Sequence, residues 1–222
     1  MSMLCCIWYN RRMTFDINTV VTSVLALVVA VTLHEYAHAV AGYALGDVTA
    51  KREGRLSLNP LAHIDPVMTL ALPLMLILLG SPVVFAAAKP VPYNPWALRW
   101  GRWGAAIVAL AGPLTNLLLA VVFGLVIRLV PMPLPVAELL LTMAVINVGL
   151  FVFNMIPIPP LDGSRVLYAV APPLRGVLDR IESMGIVIMF LVLFVGYNFI
   201  EPVIRLVVYG ILNLVVPGGI LP

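Results

Sequence analysis

The sequence predicts an all-α integral membrane protein, a bundle of about six transmembrane or partly inserted helices with a small membrane-associated β-hairpin. Three observations lead there. Hydrophobic residues make up 62% of the 222 and charged residues only 10%, whereas soluble domains carry about 25% charge. The mean hydropathy is +1.08. Several apolar runs approach or exceed the roughly 20 residues an α-helix needs to cross the hydrocarbon core. A net charge of +3 with no basic stripe disfavours nucleic acid as a partner. Cys5 and Cys6 are adjacent, so they neither staple a fold nor build a cysteine metal site.

Taken in order, the first span runs from Thr19 to Leu45 and is interrupted only by His34, Glu35 and His38. A signal peptide is the weaker reading, since it would be long, would carry three ionisable residues and is followed by no small-residue cleavage site. Val67 to Ala88 is apolar but broken at Pro73, Gly80 and Pro82, which reads as a short or hairpin-like insertion. Gly104 to Val130 and Ala137 to Asn154 are two clear spans joined by the tight linker Pro131 to Pro135. Gly185 to Ile200 and Val203 to Val216 form a shorter pair, separated by Glu201 and Pro202. Residues 1–18 therefore read as an N-terminal segment, 19–216 as a single transmembrane domain and 217–222 as a tail. No long loop leaves room for a second globular domain, and no internal repeat is visible.

The charges orient the bundle. Lys51, Arg52 and Arg55 follow the first span, Lys89, Arg99 and Arg102 precede the third, and Arg165, Arg175 and Arg180 follow the fourth. The Pro131 to Val136 turn has no positive charge. The positive-inside rule then puts the three basic loops in the cytoplasm and the Pro-rich turn outside, in a multi-pass protein of the cell membrane. Arg11 and Arg12 fall on the opposite side, a conflict that a start at Met13 would remove.

One cluster of polar residues stands out inside the first span. His34-Glu-Tyr-Ala-His38 fits H-E-x-x-H, and on a helix positions i and i+4 share a face, so both imidazoles reach one tetrahedral zinc. Glu35 then lies beside the metal as a candidate general base. With three His and five Glu in the chain, chance alone produces the pattern in roughly one such chain per thousand. Ionisable residues at mid-membrane cost about 2.5 to 3.5 kcal/mol each on insertion scales, so they mark function more often than packing. His34 lies about 16 Å of helix before Leu45, which puts the metal inside the bilayer, nearer the cytoplasmic face.

A third protein ligand is needed beside two histidines. Asp162 is the best candidate, at the end of Asn154-Met-Ile-Pro-Ile-Pro-Pro-Leu-Asp-Gly163. The prolines there forbid a regular helix and force an extended stretch, which at membrane depth must be buried in protein or line a cavity. Asn154 either donates to the oxyanion of a tetrahedral intermediate or makes an interhelical hydrogen bond.

These two motifs together make the chain resemble the site-2 protease family of intramembrane zinc metalloproteases. The likeness extends through Gly46-Asp47, Leu58-Asn59-Pro60-Leu-Ala-His63-Ile-Asp65-Pro66, Ala88-Lys89-Pro90-Val91-Pro92 and Ala111-Gly112-Pro113-Leu114-Thr115-Asn116. It covers about residues 30 to 170 and is similar to the compact prokaryotic branch, without PDZ or CBS domains. The resemblance implies one Zn2+ per chain on His34, His38 and Asp162, with Glu35 as the base that activates the zinc-bound water. It also implies Asn154 near the reacting carbonyl, and hydrolysis within or next to a transmembrane segment of a membrane protein substrate.

A helical substrate must unwind before cleavage. Residues 48–58 alternate weakly around Gly54, either as a hairpin offering an edge strand to the substrate or as an ordinary basic loop. His63 stays outside the ligand set. Asn116 matches a family position near the active site or acts as helix-packing glue. Trp96, Trp100 and Trp103 with Arg99 and Arg102 read as an interfacial belt. The competing readings are a peptidase completed by Glu138, Glu182 or Glu201, a non-catalytic metal-containing membrane adaptor that binds transmembrane helices, and a transporter. Glu35 argues against the adaptor, and the absence of paired repeats against the transporter.

Overall fold

The structure is a computed structural model that describes residues 17–71, 75, 88–184, 202, 206–211, 213 and 214. The insertion expected over 67–88 lies mostly outside them, as do the short pair 185–200 and 203–216, the N-terminal segment and the C-terminal tail.

Helix α1, Ile17–Ala44, is one continuous helix with no proline, mostly apolar but carrying His34, Glu35 and His38. It ends in a Schellman motif: Asp47 N–H donates to Gly42 O at 2.9 Å and Gly46 N–H to Tyr43 O at 3.1 Å. Gly46 makes this possible at φ +103°, where a side chain would be strained. Asp47 is buried, and its carboxylate accepts from Thr49 N–H at 2.9 Å, Thr49 Oγ1 at 2.6 Å and Asn94 N–H at 2.6 Å. One aspartate thus joins the end of α1 to the loop that precedes the next span.

The stretch expected as a hairpin is different. Thr49–Arg52 form a short helix, α2, and no strand occurs among the described residues. The cause is local: Asp47 captures the Thr49 amide and hydroxyl and starts a helical turn. Gly54 then turns the chain at φ +69°, and the buried Arg55 guanidinium donates to Ala62 O. Its side chain is spent inside the loop rather than on solvent or substrate. A 3₁₀ turn over Pro60–His63 and a single wide turn over Pro66–Ala71 follow.

Two further long helices, α3 (Arg102–Leu129) and α4 (Leu134–Asn154), are separated by Val130 to Pro133. Helix α4 begins three residues earlier than the apolar run suggests. Pro135 sits in its first turn, where a missing N–H costs nothing. α1, α3 and α4 are each long and apolar enough to cross a membrane. They pack on one another, and α3 also carries α5, Asp162–Val170. A further short helix, α6, covers Arg175–Ser183.

Small residues line the contacts. Ala26 and Ala30 of α1 pack on Ile146 and Leu150 of α4, while Ala106, Ala109, Gly112, Ala120 and Gly124 are buried along α3. Small side chains let backbones approach, which is how helices associate without a hydrophobic drive between them. The outward faces are the reverse of a soluble protein: Leu25, Leu118 and Leu129 are 59%, 63% and 73% exposed. An apolar exterior over an interior holding His, Asn and Asp is what a bilayer selects. Trp96, Trp100 and Trp103 are all exposed before and at the start of α3, with Arg102 over the Trp103 ring.

Candidate metal centre

The periodicity of α1 puts His34 and His38 one turn apart on its inner face, and both are buried, at 6% and 8% exposure. The non-helical stretch after α4 delivers Asp162 at the start of α5 to the same point. His34 Nε2 and His38 Nε2 lie 3.0 Å apart, and Asp162 Oδ2 is 3.2 Å from the first and 3.3 Å from the second. These three ligand atoms form a cluster that could hold a metal ion.

The protons decide what the cluster is for. His38 Nδ1 lies 2.7 Å from Val108 O, and a carbonyl only accepts, so Nδ1 carries the hydrogen. His34 Nδ1 lies 2.6 Å from Asn116 Oδ1 and donates there in the same sense. A neutral imidazole bonded in this way keeps its lone pair on Nε2. Asp162 Oδ2 is buried without a hydrogen-bond partner. With both imidazoles neutral, three lone pairs would face one another in a low-dielectric interior, and a bound cation would make that arrangement favourable. Two nitrogens and one carboxylate oxygen suit zinc with an open fourth position.

The surroundings are built around this point. A Cβ added to Gly112 of α3 would lie 2.6 Å from His38 Cε1 and 2.7 Å from His34 Cε1, so only glycine lets α3 back onto the histidines. Gly163 has the matching role at the other ligand. A Cβ there would lie 2.6 Å from Met155 C and 2.7 Å from Ile156 O, so its absence lets α5 dock on the end of α4. Arg165, one turn after Asp162, pairs with Glu182 of α6, and Tyr168 Oη donates to Asp179 at 3.1 Å and Glu182 at 3.2 Å. Burial and these carboxylates raise the Tyr168 hydroxyl well above its usual range.

Of the residues singled out by sequence, His34, His38 and Asp162 converge. Glu35 lies on the same turn of α1, and its Oε2 accepts from Val91 N–H at 3.2 Å. Val91 sits between Pro90 and Pro92, which have no N–H of their own. The Asn154 amide donates back to Leu150 O of its own helix at 3.0 Å. Asn116 is fully buried and touches the site through His34, so it is more than packing glue. His63 is buried and bonds Ser57 O at 2.9 Å, within its own loop.

Sequence reading missed Asn147. It is buried in α4 and accepts from Asn116 Nδ2 at 2.8 Å. The available signal was a polar amide in the middle of an apolar span, which implies a partner without saying which.

Comparison with known proteins agrees with this chemistry. Residues 132–196 match the model of Peptidase family M50, a range that includes Asn154 to Gly163. The chain is similar to "Putative zinc metalloprotease YwhC" of Bacillus subtilis (strain 168), at 36% identity over 84% of this chain and 85% of that protein. It is also similar to "Putative zinc metalloprotease Rip2" of Mycobacterium tuberculosis (strain ATCC 25618 / H37Rv), at 33% identity over 63% of this chain and 53% of that protein. A third relative is "Putative zinc metalloprotease sll0528" of Synechocystis sp. (strain ATCC 27184 / PCC 6803 / Kazusa), at 34% identity over 53% of this chain and 29% of that protein. No solved structure matches the chain significantly.

Proposed function

Because the chain belongs to peptidase family M50, the site-2 proteases, and is an intramembrane zinc metalloprotease, we propose that it cleaves membrane proteins within or next to a transmembrane segment, with His34, His38 and Asp162 holding the zinc. The observation that carries the site is the convergence of His34 Nε2, His38 Nε2 and Asp162 Oδ2 within 3.3 Å of one another. When bound, zinc supplies Lewis acidity that acidifies water and polarises the scissile carbonyl.

The chain's own groups do the rest. Glu35 accepts the proton of the attacking water and returns it to the leaving nitrogen. The Val91 N–H orients its carboxylate. Asn154, at the end of α4, turns its amide from Leu150 O toward the developing oxyanion when substrate occupies the cleft. Among the described residues three donors meet, whereas a purely structural zinc takes four protein ligands, and this favours an open, catalytic position over a metal-stabilised adaptor.

The domain works as one membrane unit over residues 19–216. Its basic loops face the cytoplasm. Helix α1 ends at Ala44, so His38 and His34 lie about 9 and 15 Å of helix inside that end, nearer the cytoplasmic face. The Arg99 N–H bond to Leu45 O and the Asp47 bond to Asn94 N–H support this reading, since they bring the basic loops after α1 and before α3 to one end of the bundle.

The test is Glu35→Gln in proteoliposomes with single-span reporter substrates. Cleavage is expected to fall by about 10²- to 10⁴-fold while zinc stays near that of wild type. Unchanged cleavage overturns Glu35 as the base.

A further inference from the structure

We propose that Asn147, which touches none of the metal donors, is a positioning residue that sets the tautomer and aim of His34 through Asn116. This rests on the zinc reading of His34 and deepens it. The chain of bonds has an unambiguous start. Asn147 Nδ2 donates to Met143 O at 2.8 Å, and a helix carbonyl can only accept. That bond fixes which way the Asn147 amide faces, so its Oδ1 points away from its own helix and accepts from Asn116 Nδ2 at 2.8 Å. With its NH₂ engaged, Asn116 must present Oδ1 to His34, at 2.6 Å. His34 then keeps its hydrogen on Nδ1 and its lone pair on Nε2, where the metal needs it.

The alternative is a flipped Asn116 amide. It would offer an NH₂ to His34 Nδ1, favour the hydrogen on Nε2, and block the ligand atom with a proton. Asn116 has one other support, Ala30 O at 3.4 Å, which is longer and correspondingly weak. The shorter bond to Asn147 therefore carries most of the bias. Asn116 and Asn147 are 0% and 2% exposed, so water does not compete for these bonds. The relay crosses three helices, from the α4 backbone through α3 to α1. His38 needs no such device, because Val108 O, a backbone carbonyl, fixes its tautomer directly.

The experiment is a double-mutant cycle on the detergent-purified full chain, reading zinc affinity by chelator competition and thermal unfolding of the metal-free protein. Asn147→Leu is expected to weaken zinc about 10- to 100-fold. Asn116→Asp gives His34 Nδ1–H a carboxylate that accepts in either orientation, so in that background Asn147→Leu costs no further affinity. Asn147→Ser, whose hydroxyl turns back on its own helix, replaces the leucine variant if that one is not recovered folded. Wild-type affinity in the Asn147 variants, or the same loss in both backgrounds, overturns the relay even where metal-free stability falls. His34→Ala is measured alongside. If it binds zinc like wild type, the site reading itself fails and takes the relay with it; if it loses zinc while the Asn147 variants keep it, only the relay falls.

Discussion

The two halves of the metal site are held in opposite ways. The histidines are fixed from within the bundle: His38 by the Val108 carbonyl, His34 by Asn116 and Asn147, with every member buried. Asp162 arrives from outside the long helices, with its side chain 20% exposed, on a stretch of prolines and the short helix α5. Its neighbours Arg165 and Glu182 are about one-third exposed. Interactions of the first kind are strong because no water competes, whereas those of the second kind are screened. The histidine half is therefore the more deeply buried of the two, and the aspartate half the more open to solvent.

Substitutions that attack each half separately sharpen the contrast. The largest effect is expected for Gly112→Ala, whose methyl group collides with both imidazole rings and has no flexible neighbour to displace. Zinc binding and cleavage should both fall at least 100-fold, as read by metal content and reporter cleavage. Near-wild-type zinc in Gly112→Ala would mean that the histidine half is softer than described.

Gly163→Ala comes next. Its Cβ meets the Met155 and Ile156 backbone, so α5 must shift and carry Asp162 with it. Because α5 is short and Asp162 is partly exposed, zinc affinity should drop about 10-fold rather than vanish, on the scale of a disturbed supporting contact.

Asp47 tests the loop end of α1. Burial alone would raise its pKa, but hydrogen bonds from Thr49 and Asn94 outweigh that and hold it below the ordinary 3.8. A depressed folded pKa means that its stabilisation is complete above the unfolded value and is lost as pH falls through the folded one. Asp47→Asn should cost about 2 kcal/mol at neutral pH and flatten the acid limb of stability below pH 4, measured by thermal unfolding in detergent.

The smallest effect is expected at the surface. Glu182→Gln breaks the pair with Arg165 and should cost about 0.5 kcal/mol, with zinc content unchanged and a loss that shrinks with added salt. A larger loss of zinc there would show that the aspartate arm depends on its surface cluster.

Much of this site was readable from the residues because bilayers make polar side chains conspicuous. The apolar runs gave α1, α3 and α4 within a few residues, and H-E-x-x-H plus the proline-rich approach to Asp162 named all three converging donors. Two features were not readable. The alternation of residues 48–58 suggested strands, but a single carboxylate at Asp47 outcompetes a weak pattern by capturing Thr49. Asn147 announced only that a polar group lies in the membrane. Its partner sits 31 residues away on a neighbouring helix, a pairing set by helix rotation rather than by any local motif.

The most direct measurement is zinc content of the purified protein by elemental analysis, for wild type, His34→Ala and Asp162→Ala side by side. The three-donor site predicts about one zinc per chain in wild type, none in His34→Ala and a clear loss in Asp162→Ala. Full zinc retention in folded Asp162→Ala would contradict it, because the carboxylate that the proline-rich stretch brings to the histidines would then not be a ligand.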